Sequence, residues 1–171
     1  MSVFKQKQQK GFTLIELLVT IAIIGILSSI VMASISTART KSQDAERRTE
    51  LKILQNILEV YYSTHDAYPK GSGVAKWFGE SENGGSMTRS GGNAYIPDLT
   101  PTYIPELPTD PSGIKTGWSG YLYLSDGVSY KLLNHVSGIT SFPPSTDPFY
   151  DPVRPTWAIM VCSGAVACST W

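Results

Sequence analysis

The sequence has few charged residues, few histidines and few cysteines, and these shortages exclude several classes of protein. Charged residues make up 16% of the 171 residues and the formal net charge is zero, so no basic surplus predicts a nucleic-acid partner. The two histidines, His65 and His135, lie in no metal-ligand spacing. No phosphate-binding glycine loop and no hydrolase motif is present. The sequence therefore gives no support for an enzyme.

Charge is missing altogether from one long segment near the N-terminus. The 22 residues from Leu17 to Ala38 are uncharged, and about 20 apolar residues are enough to span a bilayer as a helix. Lysines precede this segment and favour a cytoplasmic N-terminus, although basic residues from Arg39 onward weaken that orientation signal. We predict a single membrane-spanning helix.

Proline is also missing from the first third of the chain, which predicts that this helix continues. All eleven prolines lie from Pro69 onward. We expect an apolar helix over residues 12–38 and an amphipathic helix over 39–66, ending before Tyr68 because the residue before proline avoids helical geometry. Charged residues such as Arg47 predict a solvated face. The apolar stripe recurs at steps of three and four residues: Leu51, Leu54, Leu58 and Tyr61.

Residues 67–171 change in composition and predict a small β-sheet domain. The stretch 70–93 is rich in glycine and serine and predicts a long loop or a loosely folded insertion. Asp126-Gly127 lies between the strand-like runs 121–124 and 128–132, which is a hairpin signal. The predicted fold class is α+β, with a long N-terminal helix packed on a small antiparallel sheet.

The two cysteines, Cys162 and Cys168, both lie in the last ten residues, after a predicted third strand over 156–162. Their C-x5-C spacing matches neither the zinc nor the redox motifs that use C-x2-C. In an oxidising compartment one disulfide closing a small terminal loop is the natural interpretation. Two unrelated thiols are the alternative.

An unusual order of residues stands at the start of the apolar segment. A short basic leader ends in Gly11, and Phe12-Thr13-Leu14-Ile15-Glu16 follows, so that one carboxylate lies near the beginning of an otherwise apolar span. The run from Gly11 to Leu18 resembles the prepilin processing motif of type IV pilins and type II secretion pseudopilins. The resemblance implies that a membrane prepilin peptidase removes residues 1–11 and methylates the new amine of Phe12.

The physical chemistry of Glu16 agrees with such processing. A charged side chain at the centre of a membrane helix costs about 2.5–3.5 kcal/mol on insertion scales, and less near an end. Cleavage would turn the Phe12 nitrogen from an amide into an ammonium, a cation about one helical turn from Glu16. The resemblance implies that Glu16 pairs with Phe12 of a neighbouring subunit and sets the axial register of a polymer.

A second resemblance concerns the sheet domain. The run 103–111, followed by Gly120–Tyr123, looks like the connecting loop and first strand of the major pseudopilin of type II secretion systems. That family binds calcium in a loop, which would make four carboxylates the candidate oxygen donors: Asp110, Asp126, Asp147 and Asp151. Their surroundings favour solvated turn acids over ligands, so we assign no metal and no other cofactor.

We predict a structural subunit, a pilin, of a type IV pilus or related filament. A type II secretion pseudopilin is the first alternative, and a membrane-anchored binding module that never polymerises is the alternative from another class. The glycine-rich stretch and the cysteine pair favour the pilin. The expected partners are identical subunits, the prepilin peptidase, the assembly machinery and the cytoplasmic membrane. The precursor is expected in that membrane, and the mature chain in an extracellular pilus or a periplasmic pseudopilus.

Overall fold

The computed structural model describes residues 11–70, 76–135 and 142–171, so the predicted leader lies outside it except for Gly11. The described part divides between two compact units, Met1–Arg39 and Thr40–Trp171. Two short 3-10 helices, Glu82–Gly84 and Gly91–Asn93, lie between the first two strands. The helices and strands are α1 (Leu14–His65), β1 (Phe78–Gly79), β2 (Gly120–Ser125), β3 (Tyr130–His135), β4 (Ala158–Cys162) and α2 (Ala165–Thr170).

The first unit contains the apolar half of α1. Every side chain from Gly11 to Arg39 is exposed, including those of Leu14, Ile21 and Ile24. Among the described residues, α1 is the one helix long and apolar enough to cross a membrane, judged by length and composition. An apolar surface of this extent indicates contact with lipid or with other protein chains.

The second half of α1 carries the apolar stripe that its spacing predicts. Leu51, Leu54 and Leu58 are fully buried and Tyr61 is nearly so. The helix ends at His65, because Asp66 takes a left-handed conformation with φ of 53° and Tyr68-Pro69 follows shortly after. The predicted helix end is therefore confirmed.

The four strands form one antiparallel sheet in the order β1-β2-β3-β4. The hairpin of β2 and β3 is confirmed, but its loop runs from Asp126 to Ser129, since Ser125 pairs with Tyr130. Val128 was predicted to begin a strand and is instead an exposed loop residue. The Asp126 side chain accepts hydrogen bonds from the N–H groups of Val128 (2.8 Å) and Ser129 (2.7 Å), which closes this longer turn.

Strand β1 lies inside the stretch that the sequence predicts to be a loop. It contains two residues, Phe78 and Gly79, which pair with Tyr123 and Leu122 of β2. Two residues are too few to produce an alternating pattern in the sequence. Elsewhere in the described part of the stretch, Glu80 and Ser81 are buried and Met87 packs against the main core, so this part is not a loose insertion. The residues that follow it directly are also buried in the core: Ala94, Tyr95, Ile96 and Leu99.

The main core lies between the second half of α1 and the inner face of the sheet. The sheet contributes buried side chains from three strands: Tyr121, Tyr123, Tyr130, Leu132, Ile159 and Val161. A smaller apolar cluster covers the other face, with Leu122, Leu133, Ala158 and Met160 at its centre. The α+β prediction, a long helix packed on a small antiparallel sheet, is confirmed.

Candidate functional site

The first turn of α1 is closed by a reciprocal pair of hydrogen bonds between Thr13 and Glu16. The backbone N–H of Thr13 and its hydroxyl donate to Glu16 Oε2 at 2.9 and 2.7 Å, and the Glu16 N–H donates to Thr13 Oγ1 at 3.3 Å. This arrangement is a capping box, which satisfies backbone donors that a helix start otherwise leaves free. Such donors are especially costly in lipid, where no water replaces the missing partners.

The capping box was not predicted, although its signal was present in the sequence. A threonine followed three residues later by glutamate, just before an apolar run, is the pattern that marks it. Both hydrogen bonds to the Glu16 carboxylate go to Oε2, and among the described residues Oε1 accepts none. Phe12 is 80% exposed and lies immediately before the cap. The predicted processing residues are thus accessible, and Glu16 keeps one carboxylate oxygen for a further partner.

In the second unit, a buried ion pair joins α1 to the segment before β2. Arg47 was predicted on the solvated face of the helix, but it is 1% exposed. Its Nε donates to Asp110 Oδ2 at 2.7 Å, and Nη1 donates to Asp44 at 2.8 Å. Asn134 on β3 donates to the same Asp110 oxygen at 2.9 Å. Helical periodicity alone could not identify this pair, because its two members are 63 residues apart.

The surroundings of Asp110 keep its carboxylate ionised. Burial acts to raise the pKa of Asp110, but hydrogen bonds from Arg47, Ser112 and Asn134 outweigh that effect and hold the pKa below its ordinary value. The opposite balance holds at Glu50. Burial raises the pKa of Glu50, even though the Tyr121 hydroxyl donates a hydrogen bond to its carboxylate. Two buried acids, Glu50 on α1 and Asp110 in the segment before β2, therefore have pKa shifts of opposite sign.

The four candidate calcium donors each have other partners. Asp110 lies in the ion pair with Arg47, and Asp126 closes the hairpin turn. Asp147 accepts from Arg48 at 3.0 Å, and the fully buried Asp151 accepts from Lys131 at 2.8 Å. Within the described ranges, no group of three or more histidine, cysteine, aspartate or glutamate residues could hold a metal ion.

The predicted disulfide is present and connects β4 to α2. Cys162 at the end of β4 is bonded to Cys168 in α2, with 5.4 Å between their Cα atoms. Both cysteines pack against the apolar cluster that contains Leu122 and Leu133. The bond closes a small terminal loop, as the C-x5-C spacing suggests.

These features define a class of protein. A capped apolar helix of membrane-spanning length continues as an amphipathic helix that packs on a four-stranded antiparallel sheet, which is a pilin-like α+β arrangement. The apolar helix and the processing motif together indicate a precursor anchored in a membrane.

Comparisons with known proteins agree with this class. The model of the prokaryotic N-terminal methylation motif matches residues 6–32. Type II secretion system core protein G of Vibrio cholerae is 31% identical over 125 residues, covering 72% of this chain and 75% of the relative. The same protein of Aeromonas hydrophila is 29% identical over 138 residues, covering 75% and 81%. Type IV major pilin protein PilA of Myxococcus xanthus is 38% identical over 61 residues, covering 36% and 28%.

The chain belongs to the family of type IV pilins and type II secretion pseudopilins. No solved structure gives a significant match.

Proposed function

We propose that this chain is a structural filament subunit that is cut between Gly11 and Phe12, methylated on the Phe12 amine and polymerised through residues 12–38. The observation that carries the proposal is Glu16, a lone carboxylate in the first turn of α1, in a segment where every apolar side chain as far as Ala38 is exposed. In lipid such a carboxylate needs a cation. Cleavage supplies that cation at Phe12, and polymerisation covers the apolar surface.

The capping box supports pairing between subunits. Thr13 occupies Oε2 of Glu16 and leaves Oε1 for another donor. The ammonium of Phe12 from a neighbouring subunit can therefore bind Oε1 while the helix start stays capped. A pairing that required the cap to open would cost about 1 kcal/mol, the usual value of a cap.

The pilin and the pseudopilin alternatives are both consistent with the comparisons, and the pseudopilin has somewhat more support. The match to core protein G extends over 72% of the chain and so reaches well into the sheet unit, whereas the match to the major pilin covers 36%. We therefore place the subunit in a type II secretion pseudopilus first and in a type IV pilus second, which reverses the preference based on the glycine-rich stretch and the cysteines.

This function implies a structural role, with no catalytic residues of its own. The partners would be identical subunits, the prepilin peptidase and the secretion or pilus assembly machinery. The precursor would lie in the cytoplasmic membrane, with the sheet unit on the far side from the leader, where an oxidising environment allows the disulfide of Cys162 and Cys168 to persist.

The test compares Glu16→Ala with Glu46→Ala, an exposed glutamate farther along the same helix. In the native host, Glu16→Ala should abolish filament assembly while the processed protein stays at normal levels in the membrane. Glu46→Ala should assemble normally. Normal assembly of Glu16→Ala would contradict the proposal and favour an anchor that does not polymerise.

The two subclasses separate in a deletion strain. A pseudopilin deletion should block secretion of exported proteins and leave surface filaments intact. A pilin deletion should remove filaments from sheared surface material, as seen by electron microscopy, and leave secretion unchanged.

A further inference from the structure

A pocket lined by tryptophan lies on the outer face of the sheet, away from the main core. Its volume is about 190 Å³. Leu122 and Leu133, which are paired across β2 and β3, contribute to its lining, and three of the four tryptophans of the chain join them. We refer to it as the tryptophan pocket, and its residues are Trp77, Trp118, Leu122, Leu133, His135, Arg154 and Trp157.

The tryptophans of this pocket are not ordinary core residues. Trp118 is 44% exposed and Trp157 is 49% exposed, whereas the tyrosines on the inner face of the sheet are buried. Tryptophan has the largest apolar surface of any side chain, so two half-exposed tryptophans beside one cavity form an apolar surface open to solvent. Such a concave apolar surface with a few polar groups is the usual form of a ligand site.

Arg154 gives the pocket one positive charge. Its guanidinium carbon lies 5.1 Å from the centre of the Trp77 ring, a cation–π contact. Nη1 donates to the main-chain oxygen of Trp171 at 2.7 Å and forms a salt bridge of 3.5 Å with the buried Asp151. Within the described part of the chain, Nε and Nη2 of Arg154 donate to no protein acceptor. No acidic side chain lines the pocket, so these two donors favour an anionic group.

His135 adds uncharged hydrogen-bonding capacity at the pocket wall. Its ring packs edge-on against Trp157, with 5.3 Å between ring centres. Both ring nitrogens are buried, and neither makes a hydrogen bond of ordinary geometry with a described residue. Burial and the charge of Arg154 lower the pKa of His135, although a contact with the Trp118 backbone opposes the shift. The imidazole is therefore neutral near pH 7 and can exchange hydrogen bonds with hydroxyl groups.

The size, charge and lining of the pocket together select a ligand class. A volume of 190 Å³ is below the roughly 300–1,000 Å³ of pockets for drug-sized ligands, so it suits a single ring. Tryptophan offers flat apolar faces, Arg154 favours a carboxylate, and His135 favours hydroxyls. An aromatic acid supplies a ring and a carboxylate but lacks the hydroxyls. We propose that the tryptophan pocket binds one pyranose ring that carries a carboxylate, that is, a sugar of the uronic-acid class. This proposal does not depend on polymerisation.

The test titrates the full chain with methyl β-glucuronide and with methyl β-glucoside, followed by tryptophan fluorescence and by ligand-observed saturation-transfer NMR. A polyoxyethylene detergent keeps the protein in solution, because glucoside or choline detergents would compete for an aromatic pocket. We expect saturable binding of the glucuronide, with the glucoside about tenfold weaker because it lacks the charge-assisted bond.

Two variants and one control locate the binding. Trp118→Ala, at an exposed position, should keep the thermal stability of the head and weaken glucuronide binding about tenfold, the usual scale for losing a ring-stacking partner. Arg154→Gln should remove the preference for glucuronide over glucoside. Trp171→Phe keeps the main-chain oxygen that accepts from Arg154 and should bind like the unchanged chain.

Three outcomes would overturn the proposal. One is the absence of saturable binding by either sugar, and another is equal glucuronide binding by the unchanged chain and Trp118→Ala. The third is saturation by phenylacetate or indole-3-acetate without any response to the sugars, which would assign the pocket to aromatic acids.

Discussion

Arg47 and Asp110 form a two-point ion pair in which Nε donates to Oδ2 at 2.7 Å and Nη2 donates to Oδ1 at 3.1 Å. The two side chains are 2% and 3% exposed, so the pair is almost completely removed from water. Asn134 from β3 donates to the same carboxylate. One buried contact therefore links α1, the segment before β2 and the centre of the sheet.

The adjacent arginines of α1 should contribute very differently to stability. Arg47→Met leaves the buried Asp110 carboxylate without its cation, and breaking a buried pair in this way costs about 3–5 kcal/mol. Arg48→Met removes a partly exposed pair with Asp147 and should cost less than about 1 kcal/mol. Thermal unfolding of the detergent-solubilised chain, followed by near-ultraviolet circular dichroism, measures both. Similar losses for the two variants would contradict the assignment of Arg47 as the buried anchor.

The ionised state of Asp110 predicts a loss of stability in acid. Its pKa in the folded protein lies below the ordinary value of about 3.9. The stabilising contribution is therefore complete above that value and is lost as the pH falls through the lower, folded pKa. The raised pKa of Glu50 acts in the opposite direction, because ionisation of this carboxyl lowers the free energy of unfolding as the pH rises above the ordinary glutamate pKa. The comparison with Asp110→Asn isolates Asp110: the stability difference between the two chains should be large at pH 6 and shrink below about pH 4. A difference independent of pH would refute this prediction.

The capping box predicts a role for the Thr13 hydroxyl. Thr13→Val keeps the shape of the side chain and removes the hydroxyl that donates to Glu16 at 2.7 Å, at a cost of about 1 kcal/mol. Filament yield should fall, but less than for Glu16→Ala, because the carboxylate remains. Thr13→Ser retains the hydroxyl and should assemble normally. If Thr13→Ser assembles as poorly as Thr13→Val, the cap is not the reason for the effect.

The disulfide should stabilise the C-terminal part of the head by a modest amount. Cys162 and Cys168 are six residues apart, and a loop of this length corresponds to about 2 kcal/mol in the chain-entropy model. Replacing both cysteines by serine should lower the unfolding temperature by the same amount as reduction of the unchanged chain. A reductant should have no effect on the double variant, because the chain has no other cysteine. An unchanged unfolding temperature in both the double variant and the reduced chain would contradict a stabilising role for this bond.

Much of the fold was predictable because its signals are local. The uncharged segment, the stripe from Leu51 to Tyr61 and the hairpin at Asp126 each depend on residues close together in the chain. Strand β1 was missed because two residues give no periodic signal, and its position depends on pairing with β2. The loop position of Val128 was missed because register across a hairpin is fixed by the partner strand.

The candidate site was likewise predictable only where its residues are close together in the sequence. Gly11, Phe12 and Glu16 form one continuous motif, and the spacing of Thr13 to Glu16 contains the capping signal. The pairing of Arg47 was not predictable, because its partner Asp110 is distant in sequence. Position 47 lies four residues before Leu51 on the apolar stripe, which is a sign of burial, but its charge led to the prediction of a solvated face. The tryptophan pocket likewise combines residues from positions 77 to 157 that only the folded sheet brings together.

The intact mass of the native protein from membranes or filaments, combined with its N-terminal sequence, tests the proposed processing most directly. Cleavage between Gly11 and Phe12 predicts a chain that begins at Phe12, lacks residues 1–11, carries one added methyl group on its amine and retains the disulfide between Cys162 and Cys168. A mature chain that keeps its first eleven residues, or that begins well beyond Phe12, would leave Glu16 without its cation and contradict the proposed assembly.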